Sequence, residues 1–218
     1  MTSNYNILII LQSYDFMLNC FGFCSLIYYL CDRIQTLHNY KLQRVKENAL
    51  SVANYFIDLA RKDGKTIRPL KLMKLVYLAY GYALAIIDRS IIDPRFDKVE
   101  AWRYGPVIPS VYHSFKQYCD KPVKAKTVVM EPCDKNGVKF VEPKLEDEKA
   151  KEVCQFVWNR YREHSDSELV ELLHGSATPW AQVYREGQNC PIPEVMTKLF
   201  YKGLVERLLA IADERQGA

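Results

Sequence analysis

The side chains able to do covalent or metal chemistry are few in this sequence and poorly spaced for it. Four histidines, His38, His113, His164 and His174, are dispersed, and none belongs to an H-E-x-x-H or H-x-E pattern. Seven cysteines, Cys20, Cys24, Cys31, Cys119, Cys133, Cys154 and Cys190, are odd in number and never form a Cys-x-x-Cys pair. Zinc ligation and a disulfide framework both need paired spacing, so these residues read as buried apolar thiols in a reducing, cytoplasmic compartment. His174-Gly175-Ser176 sets a base beside a hydroxyl, but adjacent residues rarely reach the geometry of nucleophile and base. A histidine closing a helix is simply favourable to the dipole. Glu142, Glu146, Asp147, Glu148 and Lys149 read as a solvated helix start. No G-x-S-x-G, phosphate-cradling glycine loop or dinucleotide fingerprint occurs. The expectation is a protein with no catalytic residues, no metal and no cofactor, which acts by binding.

Charge narrows the class of partner. Among 218 residues, 30 Lys and Arg against 26 Asp and Glu leave a net charge of +4, too mild and too interspersed for the one-sided field that phosphate neutralisation needs. Arg61, Lys62, Lys65, Arg68, Lys71 and Lys74 cluster around one helix start, and they read as a solvated face because no nucleic-acid-binding motif accompanies them. RNA binding or processing is the alternative of a different class.

The elements that must position a binding surface are mostly helical. Ala49, Val52, Ala53, Phe56, Ile57 and Ala60 follow helical spacing to a stop at Gly64. Pro69 then opens a longer helix through Leu72, Leu75, Val76, Ala79, Ala83 and Ile86, with Lys71 and Lys74 on its more polar side. Val99 to Pro109 cannot be helix, since Gly105-Pro106 forces extended or turn backbone. Trp102 and Tyr104 on that connector are an internal plug or a surface anchor for a partner, and the two roles are compatible. Pro109 begins a short helix through Val111, Tyr112, Phe115 and Tyr118. Around Asp134-Lys135-Asn136-Gly137 two short apolar runs predict a hairpin near 126–142, which must lean on the helices or on a partner. Val153, Phe156, Val157 and Tyr161 mark the next helix. Ser165 to Glu168 has capping-box spacing, and Thr178-Pro179 starts another helix carrying Trp180. A last helix runs from about Pro193 through Val195, Met196, Leu199, Phe200, Leu204, Leu208, Leu209 and Ile211. The predicted class is mainly α, a compact helical domain over 45–218 with a small two-stranded β-hairpin insertion.

Residues 1–44 form a separate apolar extension. Ile7 to Cys31 is rich in aliphatic and aromatic residues, but Gln12, Asp15 and Asn19 interrupt it, and an aspartate at a span centre costs about 2.5–3.5 kcal/mol. Its uninterrupted part is shorter than the roughly 20 residues that cross a bilayer. Three readings stand: a helix packed on the body or on a partner, a mis-assigned start with the protein beginning at Val45, and a membrane-associated segment over 7–31.

Three blocks in order resemble one family: Ala49 to Phe56, Pro69 to Gly81, and Glu100 to Tyr112 with its Trp102-Arg103-Tyr104-Gly105-Pro106 centre. Leu169 to His174 followed by Thr178-Pro179-Trp180 agrees. The series is similar to the Panacea domain of SocA-like antitoxins, also described as phage-associated GepA-type proteins. The resemblance implies a helical antitoxin that neutralises a co-encoded protein toxin by direct contact; its founding member is known as an adaptor presenting its toxin to a AAA+ protease. It carries over to Lys74, Tyr77, Trp102, Tyr104, Gly105, Pro106, Tyr112 and Trp180 as candidate partner-binding residues, with Pro179 beside them. Arg68 departs from the family's Thr or Ser at the start of the second helix, which leaves that helix without its expected cap. The extension is not the DNA-binding or accessory domain of some members, so autoregulation is not implied.

Overall fold

Asn48 accepts from Ser51 N at 2.8 Å while Ser51 Oγ accepts from Asn48 N at 3.3 Å, and this reciprocal capping box starts helix α1, Ala49–Lys62. The computed structural model describes residues 48–133 and 137–216. The readings of 1–44, of Cys20, Cys24, Cys31 and His38, and of the Asp134 to Asn136 turn lie outside the described residues. No helix among the described residues is long and apolar enough to cross a membrane.

The apolar stripe of α1 is buried as its spacing predicts, and Gly64 at φ +64° lets Lys65 N close on Ala60 O at 2.8 Å. Helix α2, Pro69–Ile86, starts at Arg68, which makes no side-chain cap and instead pairs with Asp166 at 3.2 Å. Here the expectation of a polar side fails. Every residue from Leu72 to Leu84 is buried, because α2 is the central helix, packed by α1 and by elements from the rest of the chain. Lys74 is fully buried, and Lys71 turns inward to give its Nζ protons to the carbonyls of Arg162 and His164 at 2.6 Å each.

Strand β1, Glu100–Trp102, pairs antiparallel with β2, Gly105–Val107. Helix α3, Pro109–Phe115, follows and runs into a 3₁₀ turn over Lys116–Tyr118. Strands β3, Val129–Cys133, and β4, Gly137–Val141, form the expected hairpin. Asn54 joins it to α1: its Nδ2 donates to Thr127 O and Pro143 O, and its Oδ1 accepts from Thr127 N.

Three capped helices come next. Asp147 caps α4, Glu148–Tyr161; Ser165 and Glu168 make the predicted box on α5, Asp166–His174; and Thr178 caps α6, Pro179–Val183. Two residues, Cys190–Pro191, then add strand β5 to β1, giving an antiparallel sheet of order β2-β1-β5 that the sequence reading did not contain. Helix α7, Glu194–Gln216, lies along α2. Its contacts to the core come from Phe200, Tyr201, Leu204, Val205 and Leu208, whereas Val195, Leu199, Leu209 and Ile211 are exposed. Phe156, expected on the inner face of α4, is likewise partly exposed, its ring edge-on to Tyr82 at 5.0 Å. Of the cysteines, Cys154 is buried as expected, Cys190 is half-buried and Cys119 is exposed, which removes Cys119 from the buried-thiol reading. Among the described residues no group of three or more His, Cys, Asp or Glu side chains is placed to hold a metal.

Candidate partner-binding site

The β1–β2 connection is a tightly constrained turn. Arg103 and Tyr104 form its tip, and Gly105 follows at φ +101°, a backbone that a residue with a Cβ adopts only under strain. Space makes the same demand, since a Cβ at Gly105 would stand 3.0 Å from Lys74 Nζ and 3.5 Å from His174 Nε2. Behind the turn Lys74 Nζ donates to Pro106 O at 3.0 Å. Among the described residues no carboxylate pairs with this buried amine, and burial pushes its pKa down to about 7.

An aromatic stack holds the other side. The His174 ring lies flat on Trp180 at 3.8 Å between centroids, Trp180 lies on Tyr184 at 4.6 Å, and Trp180 Nε1 donates to Trp102 O at 2.7 Å. Desolvation, then the nearby Lys74 amine, lower the pKa of His174. The helix-end histidine is a plate of the stack, and its Nε2 has no hydrogen-bond partner among the described residues. Trp102 Nε1 donates to Glu100 Oε2 at 2.7 Å, and the Trp102 ring meets Tyr112 nearly edge-on at 4.9 Å.

The eight residues singled out from the sequence divide by exposure. Lys74, Gly105, Pro106 and Trp180 are buried and converge behind the turn, where they hold it in place. Tyr77 is buried one helical turn away, its ring edge-on to Tyr201 at 6.1 Å, and belongs to the α2–α7 seam. Trp102 and Tyr112 are half-buried flanks. Only Tyr104 among the eight is carried into solvent, 60% exposed, with the Arg103 guanidinium 5.5 Å over its ring. On one connector the Trp102 carbonyl is held inward by Trp180 and the next residue but one, Tyr104, is displayed.

Tyr104 also borders a groove of about 770 Å³, lined by Leu70, Val170 and His174, by the paired Arg68 and Asp166, and by the carboxylates of Asp120 and Glu171. Neither carboxylate has an ion-pair partner among the described residues. Sequence reasoning missed the groove, because it is built between the β1–β2 tip, the turn after α3 and the outer face of α5. The one signal for His174 was its place six residues before Trp180.

A known family falls on this same region. The family described as "Antitoxin SocA-like, Panacea domain" matches residues 72–181, which run from the first turn of α2 to α6 and contain the whole locked turn. The chain is 30% identical over 133 residues to the protein named Antitoxin SocA of Caulobacter vibrioides (strain NA1000 / CB15N), a match covering 61% of this chain and 68% of that one. No solved structure matches. With the match spanning half the chain and all of the locked turn, the protein belongs to the SocA-like antitoxin family with a Panacea domain.

Proposed function

We propose that this protein is an antitoxin that neutralises a co-encoded protein toxin by direct binding, with Tyr104 and the adjoining groove as the contact surface. The antitoxin role in general rests on family membership. The location rests on one observation: Tyr104 is the single candidate displayed to solvent, on a turn whose conformation is fixed from behind by Lys74, Gly105 and Trp180. A rigid exposed aromatic beside an apolar groove contributes binding energy at little entropic cost, the usual property of an interface hot spot. The unpaired carboxylates of Asp120 and Glu171 favour a toxin segment that sets a basic side chain beside an apolar one.

Co-expression with the product of the adjacent gene tests the reading. Wild-type protein restores growth of cells that express the toxin, and the purified pair co-elutes. Tyr104→Ala, with an unchanged thermal unfolding curve, weakens the complex about thirtyfold, as expected for a hot-spot loss of about 2 kcal/mol. Full rescue and unchanged affinity with Tyr104→Ala would remove Tyr104 from the interface. Rescue that disappears in a host lacking a AAA+ protease would replace blocking by proteolytic delivery.

A further inference from the structure

A different face of α5 borders a second cleft, of about 390 Å³, between α2, α4 and α7. That size lies within the range of small-ligand sites, about 300–1,000 Å³. Its walls are apolar, with Leu78, Leu172, Phe200 and Leu204 prominent, and Arg160 and His164 stand among its polar lining. The groups that act on Arg160 are phenols: its Nε donates to Tyr161 Oη at 3.3 Å, and its guanidinium carbon lies 5.6 Å over the Tyr161 ring. No carboxylate pairs with Arg160 among the described residues. Tyr201 also lines the cleft. It is buried to 1% exposure, and its hydroxyl has no hydrogen-bond partner among the described residues, although a phenylalanine would fill the same space without that penalty of about 1–3 kcal/mol.

We propose that this cleft is a binding site for a small amphipathic carboxylate of the medium-chain fatty-acid type, its tail against Leu78, Leu172, Phe200 and Leu204 and its carboxylate on Arg160. The walls supply the hydrophobic contact, and the guanidinium offers a planar donor pair that matches a carboxylate in geometry and charge. A neutral amphiphile leaves that donor pair unused, and a cationic one is repelled. The site shares no residue with the Tyr104 groove, so it stands apart from toxin binding.

Calorimetric titration of the full chain with decanoate, and separately with decanol, tests the proposal without any toxin. Decanoate binds saturably, one per chain, and about tenfold or more tighter than decanol, the margin of a charge-assisted hydrogen bond. Arg160→Gln brings decanoate down to the affinity of decanol. Leu204→Trp fills the cleft and abolishes binding of both; should that variant melt early, Leu172→Glu at the exposed rim abolishes binding of decanoate by repelling its carboxylate and weakens decanol far less. Unsaturable uptake, equal affinity for the two probes, or unchanged decanoate binding by Arg160→Gln would overturn it.

Discussion

Lys74 is a lysine placed where water does not reach, with one backbone carbonyl as its partner and no counter-charge among the described residues. Helical spacing puts Lys71 and Lys74 on one side of α2, and by composition that side reads as polar. The structure uses both amines inward, as donors to carbonyls that secondary structure leaves open. The arrangement has a pH signature. In the folded protein the Lys74 pKa lies near 7 against an ordinary 10.5, so between those values the unfolded chain binds the extra proton, and stability rises with pH. Below about pH 7 both states are protonated, and the folded state carries the full cost of a buried ammonium, on the order of a few kcal/mol. Lys74→Met keeps the length of the side chain and removes the charge. Urea unfolding at several pH values should show the wild type gaining stability from about pH 7 towards 10.5 and the variant lacking that gain. The variant is at least as stable as the wild type at the acid end. It is less stable at the alkaline end by about 1 kcal/mol, the worth of the lost hydrogen bond to Pro106 O.

At the scale of elements, the decisive packing is α2 against α7. Gly81 is a notch into which the Tyr201 ring fits: a Cβ there would lie 2.3 to 2.5 Å from three ring atoms, a distance no relaxed structure keeps. Gly81→Ala therefore forces the helices apart and should cost about 1–3 kcal/mol in denaturant unfolding, the range for an overpacked core. Tyr201→Leu in the same background recovers part of that loss, and the coupling in a double-mutant cycle measures the contact directly. This notch also marks where sequence reading stops. Helix starts were legible because caps are local: Ser165 with Glu168, Thr178 before Pro179, and prolines at first turns all stand where the structure uses them. The burial of α2 on every side was not legible, since it depends on α4, α5 and α7, elements far along the chain, closing over it. The same holds for β5, two residues that become a strand only because β1 offers an edge, and for the outward-facing leucines of α7. Of the candidate site, the sequence marked the residues that build the turn, but it did not separate those that lock it from the one that is displayed.

Across the described molecule the β3–β4 hairpin stands outside the shared core. None of its residues whose burial is described belongs to the buried cluster, and Met130 and Phe140 face each other across the strands, 66% and 70% exposed. Val128 and Val138 extend the same apolar face by strand alternation, both exposed. What fixes the hairpin lies at its base: the three hydrogen bonds of the buried Asn54, and Lys126 bridging Asp58 and Glu142 at 2.8 and 2.7 Å. An isolated two-stranded hairpin is marginal in water, so the strands themselves contribute little to global stability. Replacing 129–141 by a short Gly-Ser linker, with Asn54, Thr127 and Pro143 retained, should leave the melting temperature within a few degrees of wild type and reduce concentration-dependent self-association, because the excised face is apolar and unshielded. In the co-expression assay the excised variant separates two surfaces of one molecule. If Tyr104 and its groove hold the toxin, rescue survives loss of the hairpin and fails with Tyr104→Ala. The opposite pattern, a folded excised variant that no longer rescues while Tyr104→Ala still does, would move the interface to the face formed by Val128, Met130, Val138 and Phe140.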